Sequence, residues 1–223
     1  MRRGIVAAAF VLAAAALAAA QGAEVLVENW SGVPVGTKGV PPGWKKQIWG
    51  SPSYDFTVAS ESPNRVLHLL SAGDSSTINK EVSIDVRQYP ILTWRWKVVT
   101  VPAGADARRK EADDEAAQLY VTFERFPSAV RSRIIGYIWD TTAPAGTIVK
   151  SQKTGLITYV VLRSGEAELG QWVTETRNVL EDYRKIYGEN PSELIKAVSI
   201  GIDSDDTSSK AEAFVGEIVF KKP

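Results

Sequence analysis

Two sheets of short strands packed face to face, an all-β sandwich of jelly-roll type, is the fold that the sequence predicts. Three observations predict it. Strict alternation runs through Leu92-Thr93-Trp94-Arg95-Trp96-Lys97-Val98, with an apolar residue at every second place. About a dozen short runs of this kind follow one another, separated by Gly, Pro, Asn, Asp and Ser. Only 178–187 carries the spacing of a helix.

A period of two sends successive side chains to opposite faces of a strand. In 92–98 one face carries two indoles and belongs in a core, whereas Arg95 and Lys97 point to solvent or a ligand. Gln118 to Glu124 repeats the logic, with Leu119, Val121 and Phe123 on one side. These two strands read as a neighbouring pair at the centre of a sheet. Before them, strands are expected at Glu24–Glu28, Tyr54–Ser60, Arg65–Leu70 and Ser76–Ile84, and 91–100 is itself a strand. The Gly- and Pro-rich loop after the first carries Trp44 and Trp49, read as caps on one end of the core or, alternatively, as a platform at a binding site. After the charged loop 108–115, strands resume at Ala117–Arg125, Arg131–Asp140, Thr147–Lys150, Leu156–Leu162 and Trp172–Arg177. Ile134, Ile135, Tyr137, Ile138 and Trp139 make one of these apolar on both faces, the mark of a central strand. Asn178 is the expected N-cap of the one helix, with Glu181 at capping-box distance. Val179, Tyr183 and Ile186 share a face, Gly188 ends it and Pro191 lies beyond. Ile195–Asp203 and Glu212–Phe220 close the chain.

The 223 residues suffice for one core of ordinary size. Residues 1–23 read as a signal peptide: Arg2 and Arg3, an Ala-rich apolar run from Ile5 to Ala20, and small residues before the cleavage point. A retained anchor is the other reading of that run. The expected mature chain, 24–223, is a single β-sandwich domain, periplasmic or secreted. Loss of Arg2 and Arg3 turns 26 basic against 26 acidic residues into 24 against 26, a net of −2. Without a basic excess, nucleic acid is not an expected partner. Cysteine is absent, which excludes disulfides, thiolate metal sites and a cysteine nucleophile. The only histidine, His68, lies in a strand, so neither a Ser-His-Asp triad nor a two-histidine zinc site is expected. No phosphate-cradling glycine motif occurs.

Five motifs occur in order: Pro41-Pro42-Gly43-Trp44, Leu92-x-Trp94-x-Trp96-x-Val98, Asp113-Asp114-x-Ala116-Ala117-x-Leu119-Tyr120-Val121-x-Phe123, Trp172-x-x-Glu175-x-Arg177-Asn178-Val179-x-x-Asp182-Tyr183, and Asp203-x-Asp205-Asp206-Thr207. Together they resemble the bacterial family catalogued as domain of unknown function number 3047, from about Glu24 to Phe220. The resemblance implies an exported protein with a jelly-roll fold similar in pattern to sugar-binding domains of the galactose-binding type. It implies no settled activity.

Seven Trp and seven Tyr are many for one small domain, and such side chains fill cores or stack on sugars. A polar cleft is expected from Arg95, Lys97, Glu124, Glu175 and Arg177 with Tyr120 and Trp139, since arginine forks take carboxylates or vicinal hydroxyls. The plainer reading of these charges is cross-strand pairing. Two acidic clusters, Asp113-Asp114-Glu115 and Asp203-x-Asp205-Asp206, lie at strand ends. Asp203, Asp205 and Asp206 offer the oxygens that Ca2+ prefers, although the rest of an EF-hand loop is missing; an Asx-turn loop is the alternative. Were the clusters to converge, Asp114 with Asp203 or Asp205 would supply the paired carboxyls of a glycoside hydrolase. The sequence therefore favours an exported module binding a glycan or other polyhydroxylated ligand. An envelope polysaccharide hydrolase or lyase, with Asp114 and Asp205 as catalytic candidates, and a structural envelope protein without small ligand are the alternatives.

Overall fold

The structure, a computed structural model, describes residues 22–223. The expected signal segment, 1–23, falls almost wholly outside the described residues. Among the described residues thirteen strands form two sheets. They are β1 (Glu24–Glu28), β2 (Lys45–Lys46), β3 (Asp55–Glu61), β4 (Asn64–Ala72), β5 (Ser75–Ile84), β6 (Ile91–Thr100) and β7 (Ala117–Phe123). There follow β8 (Arg133–Asp140), β9 (Ile148–Lys150), β10 (Ile157–Ser164), β11 (Val173–Asn178), β12 (Ile195–Asp203) and β13 (Lys210–Lys221). Two helices, α1 (Ser128–Arg131) and α2 (Val179–Tyr187), join them. The first sheet runs β11-β6-β13-β4-β3, with β1 also on β13; the second runs β2-β5-β12-β7-β8-β10-β9. β8 and β10 are parallel and the other pairs antiparallel. This is the two-sheet jelly-roll sandwich that the alternation predicts. Among the described residues no helix is long and apolar enough to cross a membrane.

One expectation is corrected. β6 and β7 are not neighbours: β6 pairs with β11 and β13, and β7 with β8 and β12. Each has one fully apolar face, and two such faces are best buried against each other across the sandwich. The indoles of β6 do this. Trp94 lies 5.4 Å from the Tyr137 ring and Trp96 lies 6.2 Å from Trp139, both on β8 of the facing sheet. All four rings are buried, each worth about 1.5–3 kcal/mol relative to exposure. β8 is central, between β7 and β10.

α2 has the expected caps: the Asn178 side chain accepts the Glu181 N–H at 3.2 Å, and Gly188 takes φ 72°. The two tryptophans of the first long loop part company. Trp44 stacks on Trp30 at 5.6 Å and is buried, as a core cap should be. Trp49 is 58% exposed. β2 and α1 have too few residues to show a period and leave no pattern to read.

Candidate functional site

The outer face of the second sheet is not a plain solvated surface. The register sets Asn79, Ser199, Tyr120, Gly136 and Tyr159 side by side across β5, β12, β7, β8 and β10. Thr77, Gly201 and Gln118 form the next row. These rows are the floor of a groove of about 740 Å3. The 47–52 loop, with Ile48 and Trp49, and the 151–154 loop, with Lys153, rise beside it. Both glycines shape the floor. A Cβ on Gly136 would lie 2.8 Å from the Tyr120 ring and 3.0 Å from that of Tyr159. The two rings, 6.5 Å apart, lie over the bare backbone. A Cβ on Gly201 would lie 2.9 Å from Thr77 Oγ1 and collide with the Gln118 amide. Glycine in a strand interior often marks such a close approach. Burial and nearby carboxylates push both phenols up, so they remain hydrogen-bond donors.

One end of the groove is acidic. Asp203 and Asp205 line it, and Asp113 and Glu115 lie buried beneath. The two clusters converge because β12 ends where β7 begins. The Asp203 N–H donates to the Glu115 carbonyl at 3.0 Å. Asp114 is wholly buried: its Oδ1 accepts the Asp206 N–H at 3.1 Å, and its Oδ2 accepts the Thr207 N–H at 2.7 Å and hydroxyl at 2.6 Å. It ties the 203–207 loop to the start of β7. Gln118 Nε2 donates to Glu115 Oε2 at 2.5 Å, and Ser75 Oγ donates to Asp203 Oδ2 at 2.8 Å. Asp113 Oδ1 and Glu115 Oε1 are buried with no hydrogen-bond partner among the described residues. Burial pushes Asp113 up to about 6 and Glu115 well above the usual carboxyl range. Burial, then the Asp205 and Asp114 charges, pushes Asp203 up to about 9. At neutral pH Asp203, at this end of the groove, therefore holds its proton.

Asp114, Asp205 and Asp206 each place a carboxylate oxygen within 4.8 Å of the others, the spacing of a cation site. Their donor type suits Ca2+. Two observations weigh on the fit. Both Asp114 oxygens already accept hydrogen bonds, and Lys153 Nζ forms an ion pair with Asp206, 3.9 Å from Asp205. Lys153 thus supplies positive charge where an ion would sit. Asp203, the third residue of the expected calcium set, instead faces the groove.

The seven residues expected to line one polar cleft are spread over the molecule. Tyr120 is in the groove. Arg95 and Lys97 lie on the outer face of the first sheet, against Trp172 at 4.9 and 5.2 Å. Lys97 pairs with Glu61 at 2.8 Å. Trp139 is buried between the sheets, Arg177 pairs with Asp182 beside α2, and Glu124 is exposed just past β7. Glu175 accepts from Arg163 at 2.8 Å and from the Trp96 indole at 3.2 Å. Tyr159, Gln118, Asn79 and the two glycines were not among the expected site residues. Alternation alone puts Gln118, Tyr120, Tyr159 and Asn79 on the outer faces of their strands. Which strands adjoin is what unites them, and that is a long-range fact.

The family model described as "Protein of unknown function (DUF3047)" matches residues 42–219. The chain belongs to this family. Among curated proteins, none matches it. Of solved structures, this DUF3047 chain is similar to the family 11 carbohydrate-binding module of a Clostridium thermocellum cellulosomal cellulase. That match has 7% identity and a TM-score of 0.49, over 90% of this chain and 95% of that one. A xylan-binding domain from Paenibacillus barcinonensis is similar at 9% identity and a TM-score of 0.42, over 90% of this chain and 96% of that one.

Proposed function

We propose that the groove on the second sheet binds a polysaccharide chain, and that the protein does so after export, in the periplasm or outside the cell. One observation carries the reading: five adjacent strands line the groove with a row of aromatic rings, amides and hydroxyls, which Gly136 and Gly201 let lie close against the backbone. A sugar ring has an apolar C–H face and a rim of hydroxyls. Tyr120 and Tyr159, their rings tilted at 48° to one another, offer apolar ring area to the first, while Asn79 and Gln118, each already bonded once to Ser199 or Glu115, offer their remaining amide groups to the second. Trp49, more than half exposed at the rim, is a third aromatic face. With Asp203 protonated, Asp74 and Asp205 still outnumber Lys153 along the lining, so a neutral glycan suits the groove better than an acidic one. The export reading rests on Arg2, Arg3 and the apolar run that follows.

Electrophoresis through gels containing a soluble β-glucan, xylan or alginate tests this. A neutral polysaccharide is expected to retard the protein. Trp49→Ala, which removes an exposed ring and leaves the core alone, is expected to weaken retention about tenfold, the loss of one good stacking contact. Equal retention of variant and wild type, or none by any neutral chain, would refute the reading.

A second reading, hydrolysis of the bound chain, is favoured by the convergence of the acidic clusters at the groove end. Asp203 and Asp205 are the carboxyls that face it. Release of reducing ends that disappears in Asp205→Asn would establish it; no release from a retained polysaccharide would leave binding alone.

A further inference from the structure

The opposite face of the sandwich carries a second pocket of different charge. Arginines here are almost all spoken for. Arg125, Arg133, Arg163 and Arg177 pair with carboxylates, and Arg65 Nη1 donates to the Ser31 and Val33 carbonyls at 2.7 Å. Arg95 is the exception. It is half-buried on β6, and among the described residues it has no ion pair or hydrogen-bond partner. Its guanidinium instead lies over the Trp172 ring at 4.9 Å. A guanidinium held over an indole face can still present its N–H edge to a partner.

The backbone makes room for that edge. β13 shifts register between Val215 and Ile218, opposite Trp96 and Trp94 of β6. Gly216 and Glu217 together oppose the single residue Arg95, a bulge of one extra residue, at the notch where β4 ends its pairing with β13 and β1 begins. A Cβ on Gly216 would lie 3.4 Å from that of Arg95. Bulges are common beside functional sites. The notch is a pocket of about 390 Å3, with Asn29, Asn64 and Arg65 around Arg95. Glu217 at its rim is exposed and makes no ion pair with Arg95.

We infer that this notch is a second ligand site, for a carboxylate-bearing sugar such as a uronic acid unit. The free fork of Arg95 takes the two carboxylate oxygens side by side. The Asn29 and Asn64 amides meet ring hydroxyls, and the volume lies at the small end of ligand pockets. The site is independent of the groove across the molecule, whose charge has the opposite sign.

Calorimetric titration with a galacturonic acid trisaccharide tests it, with a neutral glucose trisaccharide as the comparison. The acidic sugar is expected to bind, and to bind more weakly as salt is raised. Arg95→Ala is expected to weaken binding about tenfold or more, the loss of a charge-assisted pair. Arg95→Lys, which keeps the charge without the fork and guards against a folding defect, is expected to fall between. Trp49→Ala is expected to leave it unchanged. No binding of the acidic sugar, equal binding of the neutral one, or equal binding by Arg95→Ala would overturn the inference. Loss of groove binding in the gels would leave it standing.

Discussion

Raising the pH from 4 to 9 is expected to destabilise this protein progressively, and Asp203→Asn is expected to remove a large part of the loss. The sign follows from the direction of the shifts. Asp203, up to about 9, and Asp113, up to about 6, hold protons in the folded state that the unfolded chain releases near pH 4. Glu115 is raised as well. A carboxyl with a raised folded-state pKa contributes its full stability below its unfolded value, and loses it as pH rises through the folded one. At the acid end, Asp85 and Asp106, held down to about 2 by Arg87 and Arg108, lose their contribution as pH falls below 4. Stability should therefore peak near pH 4–5 by the same linkage. Asparagine in place of Asp203 imitates the neutral acid and cannot ionise. The variant should match wild type at pH 4 and exceed it at pH 8, by an amount on the order of a few kcal/mol. At about 2–4 °C per kcal/mol for a chain of this size, the rise in melting temperature at pH 8 is easily read. A wild-type profile that is flat or rising between pH 5 and 8 would show that the acidic end does not hold protons.

Gly136→Val is expected to abolish polysaccharide retention. The new side chain would begin 2.8 Å from the Tyr120 ring and 3.0 Å from Tyr159, so both rings must leave the floor. Overpacking of this kind costs about 1–3 kcal/mol, which a domain with this core survives. Two tilted rings leave the binding row together, so the loss should exceed that of Trp49→Ala. Gly136→Ala needs smaller shifts and should fall between. A valine variant that melts as a folded protein and retains polysaccharide as wild type does would remove the floor from the site.

The scaffold was legible because its signals are local. The alternation at 91–100 and 195–203 and the caps at Asn178 and Gly188 depend on neighbours a few residues apart. The pairing of β6 with β7 was misread because an apolar face shows that a strand is covered, not by what. The site was legible in fragments. Tyr120 and the acidic clusters could be singled out by residue type, and the clusters do converge. Arg95 and Trp139 could not be separated from Tyr120, because the sheet and face that a strand presents depend on partners far along the chain. Gly136 and Gly201 gave no signal, since a glycine in a strand speaks only through what lies across it.

The central claim is that ligand lies on the row from Asn79 to Tyr159. Hydroxyl-radical footprinting, with and without the neutral polysaccharide that retards the protein, tests it most directly, because each aromatic reports its own exposure. Trp49, the most exposed of these rings, should lose most of its oxidation on binding, with smaller losses at Tyr120 and Tyr159, while Trp172 on the other face keeps its own. Protection confined to Trp172, or none at Trp49, would contradict the assignment of the groove.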